Sequence, residues 1–191
     1  MIMSRWALFA VMAVAQLAVP FSMIYQREQI LSQGAPYKFR CGPVDPYDAF
    51  RGRYVALTLL DTTLEHWKGE PFNGDRPVYA LLGLDEQGFA KIADVRYTKP
   101  GSGDYLRVTA YAFGGDDISL QVTLPFDRYY MDEFQAPAAE IAYRNEARSE
   151  EGAHVVVRVR KGEGVIEGLY LGDTPIEEYL LQEAAKAGES P

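Results

Sequence analysis

Two short stretches of this 191-residue chain concentrate the side chains that could do chemistry. The first, residues 43–59, carries Asp45, Asp48, Arg51 and Arg53 ahead of Tyr54. The second, residues 125–133, sets Asp127, Arg128 and Glu133 among Phe126, Tyr129 and Tyr130. Paired carboxylates perform general acid–base work when burial raises the pKa of one of them. Interleaved Asp and Arg more simply form charge-assisted hydrogen bonds that hold turns, and that is the role expected here. The cluster to follow into the fold is therefore Asp45, Asp48, Arg51, Gly52, Tyr54, Asp127, Arg128 and Tyr129. If the two stretches meet, they would line one cleft.

Other chemistry finds little support. His66 and His154, the two histidines, have no companion at ligand spacing, and zinc draws three or four donors, mostly His or Cys. No glycine-rich phosphate loop, nucleophile elbow or HExxH helix is present. Cys41 is the single cysteine, so no intramolecular disulfide can form and the fold must hold by packing. It is read as a small buried hydrophobe. No catalytic residue, metal ligand or cofactor is assigned. The formal net charge of −8 lacks the basic footprint that nucleic-acid binding needs.

The first cluster must be positioned by a turn that opens a strand. Pro43 and Pro46 fix their own φ and push the residues before them toward extended geometry, which excludes a helix. Asp45 and Asp48 suit turns, where their side chains bond the backbone two residues on. Residues 54–59 follow as a strand, with Val55, Leu57 and Leu59 on the face better suited to a core. Gly52, just before it, tolerates a positive φ or a bulge.

This stretch, PVDPYDAFRGRYVALTL, resembles the signature of the GDYXXLXY family of membrane-anchored bacterial proteins. The motif falls on Gly52, Tyr54 and Leu57, within the context Val44, Asp45, Pro46, Asp48, Arg51 and Gly52. Arg53 stands where the family has Asp, and Leu59 where it has Tyr. The similarity extends to residues 125–130 and 168–170. It implies a membrane-anchored bacterial protein and assigns no activity to it.

Residues 6–25 contain no charged side chain. Twenty helical residues at 1.5 Å each span about 30 Å, the thickness of a bilayer's hydrocarbon core. Trp6 and Tyr25 close the segment at both ends, where aromatic side chains favour the interface. Arg5 and the terminal amine precede it, while Arg27 and Glu28 nearly cancel after it, which favours an N-terminus in the cytoplasm. The alternative is a cleaved signal peptide ending at Ala13-Val14-Ala15, but the apolar run continues through Leu17, Val19, Phe21 and Ile24. Residues 26–33 read as a helical continuation closed by Gly34 and Pro36.

The remainder reads as a meander. A strand is expected at 37–41, a helical turn and loop at 61–75, and strands at 78–84, 89–97, 104–113 and 118–124 joined by Gly- and Asp-rich turns. Gly103-Asp104-Tyr105 repeats the first letters of the family motif, as a common way to leave a turn for a strand. A helix is expected at 137–148, then a hairpin of 154–160 and 165–171 around the turn Lys161-Gly162-Glu163-Gly164. In the first of its strands His154, Val156, Arg158 and Arg160 share a face. Thr174-Pro175-Ile176-Glu177 has the form of a capping box opening a last helix to about Ala185.

The expected architecture is α+β. A mainly antiparallel, barrel-like or sandwich β-domain with two short helices follows one transmembrane helix. Residues 1–27 form the anchor, 28–36 a juxtamembrane stalk, 37–186 the extracytoplasmic domain and 187–191 a flexible tail. The leading function is a non-catalytic binding or accessory module for an integral-membrane protein partner, contacting the bilayer through residues 6–25. An envelope hydrolase or peptidase-like enzyme using the Asp/Arg clusters is the alternative. The expected location is the bacterial inner membrane with a periplasmic C-terminal domain. A reporter fused after Pro191 should be active outside the cytoplasm, and the protein should stay with membranes through a carbonate wash. Release of a product beginning near Gln16 would refute the anchor.

Overall fold

The computed structural model describes residues 5–43, 54–68, 72, 74, 76–115, 117–149 and 152–188. Asp45, Asp48, Arg51 and Gly52 lie outside the described residues, and so does the backbone conformation expected at Gly52.

Helix α1 (Arg5–Gln33) runs through Pro20 without interruption and is long and apolar enough to cross a membrane, its most apolar 18-residue window having a mean hydropathy of 2.1. Its apolar side chains from Trp6 to Ile24 are exposed. The chain then turns at Gly34 directly into β1 (Ala35–Gly42). Short strands follow: β2 (Tyr54–Ala56), β3 (Thr58–Leu59) and β4 (Thr63–Leu64). Next come β5 (Val78–Leu84), β6 (Ala90–Arg96), β7 (Tyr105–Phe113), β8 (Ser119–Thr123) and β9 (Arg128–Tyr130). Helix α2 (Ala136–Glu146) precedes β10 (Ala153–Arg160), β11 (Glu163–Leu171), β12 (Thr174–Pro175) and helix α3 (Ile176–Gly188).

These strands form two antiparallel sheets, ordered β12-β11-β10-β1-β3 and β4-β8-β7-β5-β6, and a ribbon of β2 and β9. Bridges between Lys38 and Phe89 and between Leu106 and Gly162 join the sheets, so the whole is a nearly closed barrel. The α+β, mainly antiparallel reading holds, with two short helices beside the long one. The barrel interior is filled by β-branched and aliphatic residues that alternate along each strand. Val155, Val157 and Val159 of β10 face Phe39, Val78, Leu106 and Leu120 in one core. Cys41 belongs to that core; burial pushes its thiol up to about 12, so it carries no thiolate at neutral pH. Beside it, the Tyr143 hydroxyl donates to the Gly42 carbonyl at 2.7 Å and pins α2 to the end of β1.

Three local expectations are corrected. Among the described residues of 61–75 there is no helical turn: Thr63 and Leu64 pair with Gln121 and Leu120 as a fifth strand of the second sheet. The edge of β8 offers unpaired backbone groups there, and positive φ values at Asp61 and His66 bend the chain into and out of it. Thr174 does not open α3 as a cap. It pairs with Leu171 across a turn at Gly172 and Asp173, where Gly172 has φ +57°, and Glu177 receives Tyr129 instead. The turn after β10 holds two residues, with Lys161 at φ +52° and Gly162 at +90°, so Glu163 already belongs to β11. That pair of positive φ values matches the right-handed twist of the flanking strands. The Gly103-Asp104-Tyr105 triplet does leave a turn, with Gly103 at φ +82°. Its Asp104 accepts from the Tyr37 hydroxyl at 3.0 Å, and that phenol is pushed up to about 12, first by burial and then by the carboxylate.

The end of α1 is packed on the outer face of β10 and β11. Ile30 is 4% exposed. Arg158 donates to the Gly34 carbonyl at 3.3 Å, and Arg160 donates to Gln29 at 3.2 Å and Gln33 at 3.0 Å. A Cβ on Gly34 would stand 2.5 Å from the Ile30 carbonyl oxygen and 3.0 Å from Arg158 Cβ. Gly34→Ala is therefore expected to destabilise the domain by about 1–3 kcal/mol. Gly101→Ala, with nothing within 4 Å of the added atom, should leave thermal unfolding in detergent unchanged. Equal melting of the two variants would overturn this reading of the junction.

Candidate functional site

The β2–β9 ribbon brings the first cluster's Tyr54 to the second cluster. Tyr54 pairs with Tyr130, Val55 with Tyr129 and Ala56 with Arg128, and the Leu57 N–H bonds the Asp127 carbonyl at 2.9 Å. Alternation along β9 then separates the side chains. Arg128 and Tyr130 point outward with Tyr54, whose ring lies 5.0 Å from the Arg128 guanidinium and 5.7 Å from the Tyr130 ring. The Arg128 guanidinium is held above its ordinary range, chiefly by its hydrogen bond to Tyr130 and then by Tyr54 and Asp127. Asp127 lies 3.7 Å from Arg128, with side chains 74% and 49% exposed. Tyr129 turns the other way, beside fully buried Val55, and donates to Glu177 of α3 at 2.6 Å. Burial, then the Glu177 carboxylate, raises the Tyr129 phenol well above its usual range.

Asp127, Arg128, Tyr129 and Tyr130 line a cleft of about 430 Å³ whose opposite walls are Arg27 of α1 and Gly164 to Ile166 of β11. Arg27 reaches across to the Gly164 carbonyl at 3.4 Å. A second cleft, of about 330 Å³, continues along the helix between Met23, Gln26, Arg107, Pro125 and Glu163. A third, of about 300 Å³, lies between Tyr25, Gln29, Arg160 and Lys161. The candidate cluster thus opens onto a ring of clefts around the exit of α1. Arg27, Arg107, Arg160 and Lys161 escaped the sequence reading because they are scattered over four elements. The turn at Lys161-Gly162 was visible, but its proximity to α1 depends on the helix folding back on the sheet.

A different charged group braces the barrel elsewhere. Arg40 bonds Asp61 at 3.0 Å, Asp85 at 2.6 Å and Gln87 at 2.6 Å, and covers the Phe89 ring at 4.1 Å. Phe89 in turn meets His154 edge-on at 5.7 Å, and His154 stacks on Tyr170 at 5.1 Å. Burial and then Lys38 lower the His154 pKa against a weaker pull from Asp173. His66 sits 2.6 Å from Asp117 on the exposed surface. No group of three or more metal-ligating side chains occurs among the described residues.

The two consecutive residues of β9 should respond differently to truncation. Tyr129→Phe removes a hydrogen bond to a carboxylate on a half-buried side chain and is expected to cost about 1 kcal/mol. Arg128→Ala should leave the melting temperature nearly unchanged, because an exposed ion pair at this distance contributes little. A large loss on Arg128→Ala with none on Tyr129→Phe, measured by thermal unfolding, would reverse the assignment of brace and surface.

A search of curated proteins returned no match, nor did a search of solved structures. The model of the GDYXXLXY protein family matches residues 16–169, from the middle of α1 to near the C-terminal end of β11. The chain belongs to the GDYXXLXY family.

Proposed function

We propose that this protein is a single-pass, membrane-anchored module whose domain lies outside the cytoplasm and binds a membrane protein rather than catalysing a reaction. One observation carries the reading. The domain is docked on the exit of its own apolar helix, through Ile30, Arg158 and Arg160, so that one face is held toward the plane where that helix would enter a bilayer. A domain on a free tether would sweep out a large volume; this one presents a fixed surface, and rigid presentation lowers the cost of lateral association. The ribbon displays Tyr130, 67% exposed, in the cleft shared with Arg27, and the turn after the ribbon displays Phe134, 85% exposed. Exposed aromatic residues are enriched where proteins dock. The solvated Asp127 and Arg128 support the same reading, because acid–base work needs a carboxylate that burial has set apart.

A photo-crosslinking residue placed at Tyr130 or Phe134 in growing cells is expected to give one discrete adduct with an integral membrane protein. The same residue at Leu84, an exposed position on β5, should not. Adducts of equal yield and pattern at all three positions, or adducts with soluble proteins alone, would remove the proposal.

A further inference from the structure

We infer that the groove between α1 and the β7–β9–β11 wall is a site for an anionic phospholipid, with the phosphodiester between Arg27 and Arg107 and the glycerol end beside Met23 and Pro125. The inference goes beyond the protein-partner reading and shares with it only the insertion of α1 in a bilayer.

Depth is the first support. The charge-free stretch is centred between Ala15 and Gln16. Along the helix axis, Met23 then lies about 11 Å and Arg27 about 17 Å from the bilayer midplane. The hydrocarbon half-thickness is about 15 Å, so the groove that contains both residues straddles the boundary between chains and headgroups. Its composition changes in the same direction. Exposed Met23 is at the lower end, and the guanidinium groups of Arg27 and Arg107 are at the upper.

Charge is the second support. The three clefts around α1 are lined by Arg27, Arg107, Arg128, Arg160 and Lys161 against only Asp127 and Glu163, on a chain whose net charge is −8. Arg128 is engaged by Asp127, and Arg160 by Gln29 and Gln33. Arg27 has the long bond to the Gly164 carbonyl as its polar contact. Among the described residues no carboxylate lies within 4 Å of the Arg27, Arg107 or Lys161 side-chain nitrogens. These are the donors left over, and guanidinium forks match the paired oxygens of a phosphodiester. Lys161 is held there by the two-residue turn, whose positive φ values fix its position beside α1. The same turn supplies the Gly162 carbonyl that accepts the Arg107 N–H at 2.8 Å, so Arg107 and Lys161 are set by one piece of backbone.

The test uses the full chain in a neutral detergent with equal amounts of dioleoyl phosphatidylglycerol and dioleoyl phosphatidylcholine, read by native mass spectrometry. Wild type should retain phosphatidylglycerol over phosphatidylcholine by roughly thirtyfold, as expected for two cations near an anionic headgroup. The double variant Arg27→Gln, Arg107→Gln should bring the two lipids to parity while melting as wild type does. Glu163→Gln, which removes a carboxylate from the groove, should raise the preference. Lys91→Gln on β6, outside all three clefts, should leave it unchanged. Addition of millimolar inorganic phosphate should not displace the bound lipid. Parity in wild type, a preference that survives the double variant, or full displacement by phosphate would each overturn the lipid assignment, and none of these bears on a crosslinked protein partner.

Discussion

Between the last residue of α1 and the first of β1 stands a single residue, Gly34. Its N–H still bonds the Ile30 carbonyl at 2.8 Å as the helix closes, and its own carbonyl accepts from Arg158. A connection of one residue has no slack, so the direction of β1 is set by the end of the helix, and β1 in turn sets β10 through seven paired residues from Ala35 to Cys41. A junction this short needs a residue without a side chain, because a helix carbonyl occupies the place where Cβ would stand. The orientation of the barrel relative to the helix thus follows from local backbone geometry, and Arg158 and Arg160 hold what that geometry begins.

The position of the clefts follows from the same junction. With α1 laid on β10 and β11, the turn at Lys161 and Gly162 comes alongside the helix. That turn also bridges to Leu106 and closes the barrel on this side. Gly164, next along, has no room for a Cβ because Phe126, Val157 and Leu106 are within 3.2 Å of it. Barrel closure and the walls of the groove are therefore one packing problem. On the opposite side the Lys38–Phe89 bridge is reinforced by charge: Arg40 spans Asp61, Asp85 and Gln87 over the Phe89 ring, a staple that the first side lacks among the described residues.

Strands with strict alternation or continuous β-branched runs were legible in the sequence. Residues 154–160 are an example, because a run of valines at period two marks a strand, and most of the strand is buried. The helices were legible from apolar spacing, and the long first helix from its uninterrupted apolar run. What was not legible depended on partners distant in the chain. Thr63 and Leu64 carry no strand pattern of their own and become a strand because β8 presents an edge. Thr174 and Glu177 had the spacing of a cap, but a backbone ladder to Leu171 and the Tyr129 hydroxyl claimed them instead. Of the candidate cluster, Tyr54, Asp127, Arg128 and Tyr129 come together, with Tyr129 turned inward as a brace. The cations at the helix exit were invisible because their convergence is a property of the fold alone.

A helix of 29 residues is about 43 Å long, and here it is joined to a stiff body without a hinge between them. In a bilayer such a helix tilts until its apolar length fits the hydrocarbon thickness, commonly by about 20°. A domain on a loose linker would ignore that tilt. On a spanning helix this domain would rotate with the shaft, lowering one flank toward the lipid surface and raising the other by the same angle. If the helix spans a bilayer, thinner and thicker membranes would thus give the barrel two different attitudes, and bilayer thickness would set the inclination of its outer face.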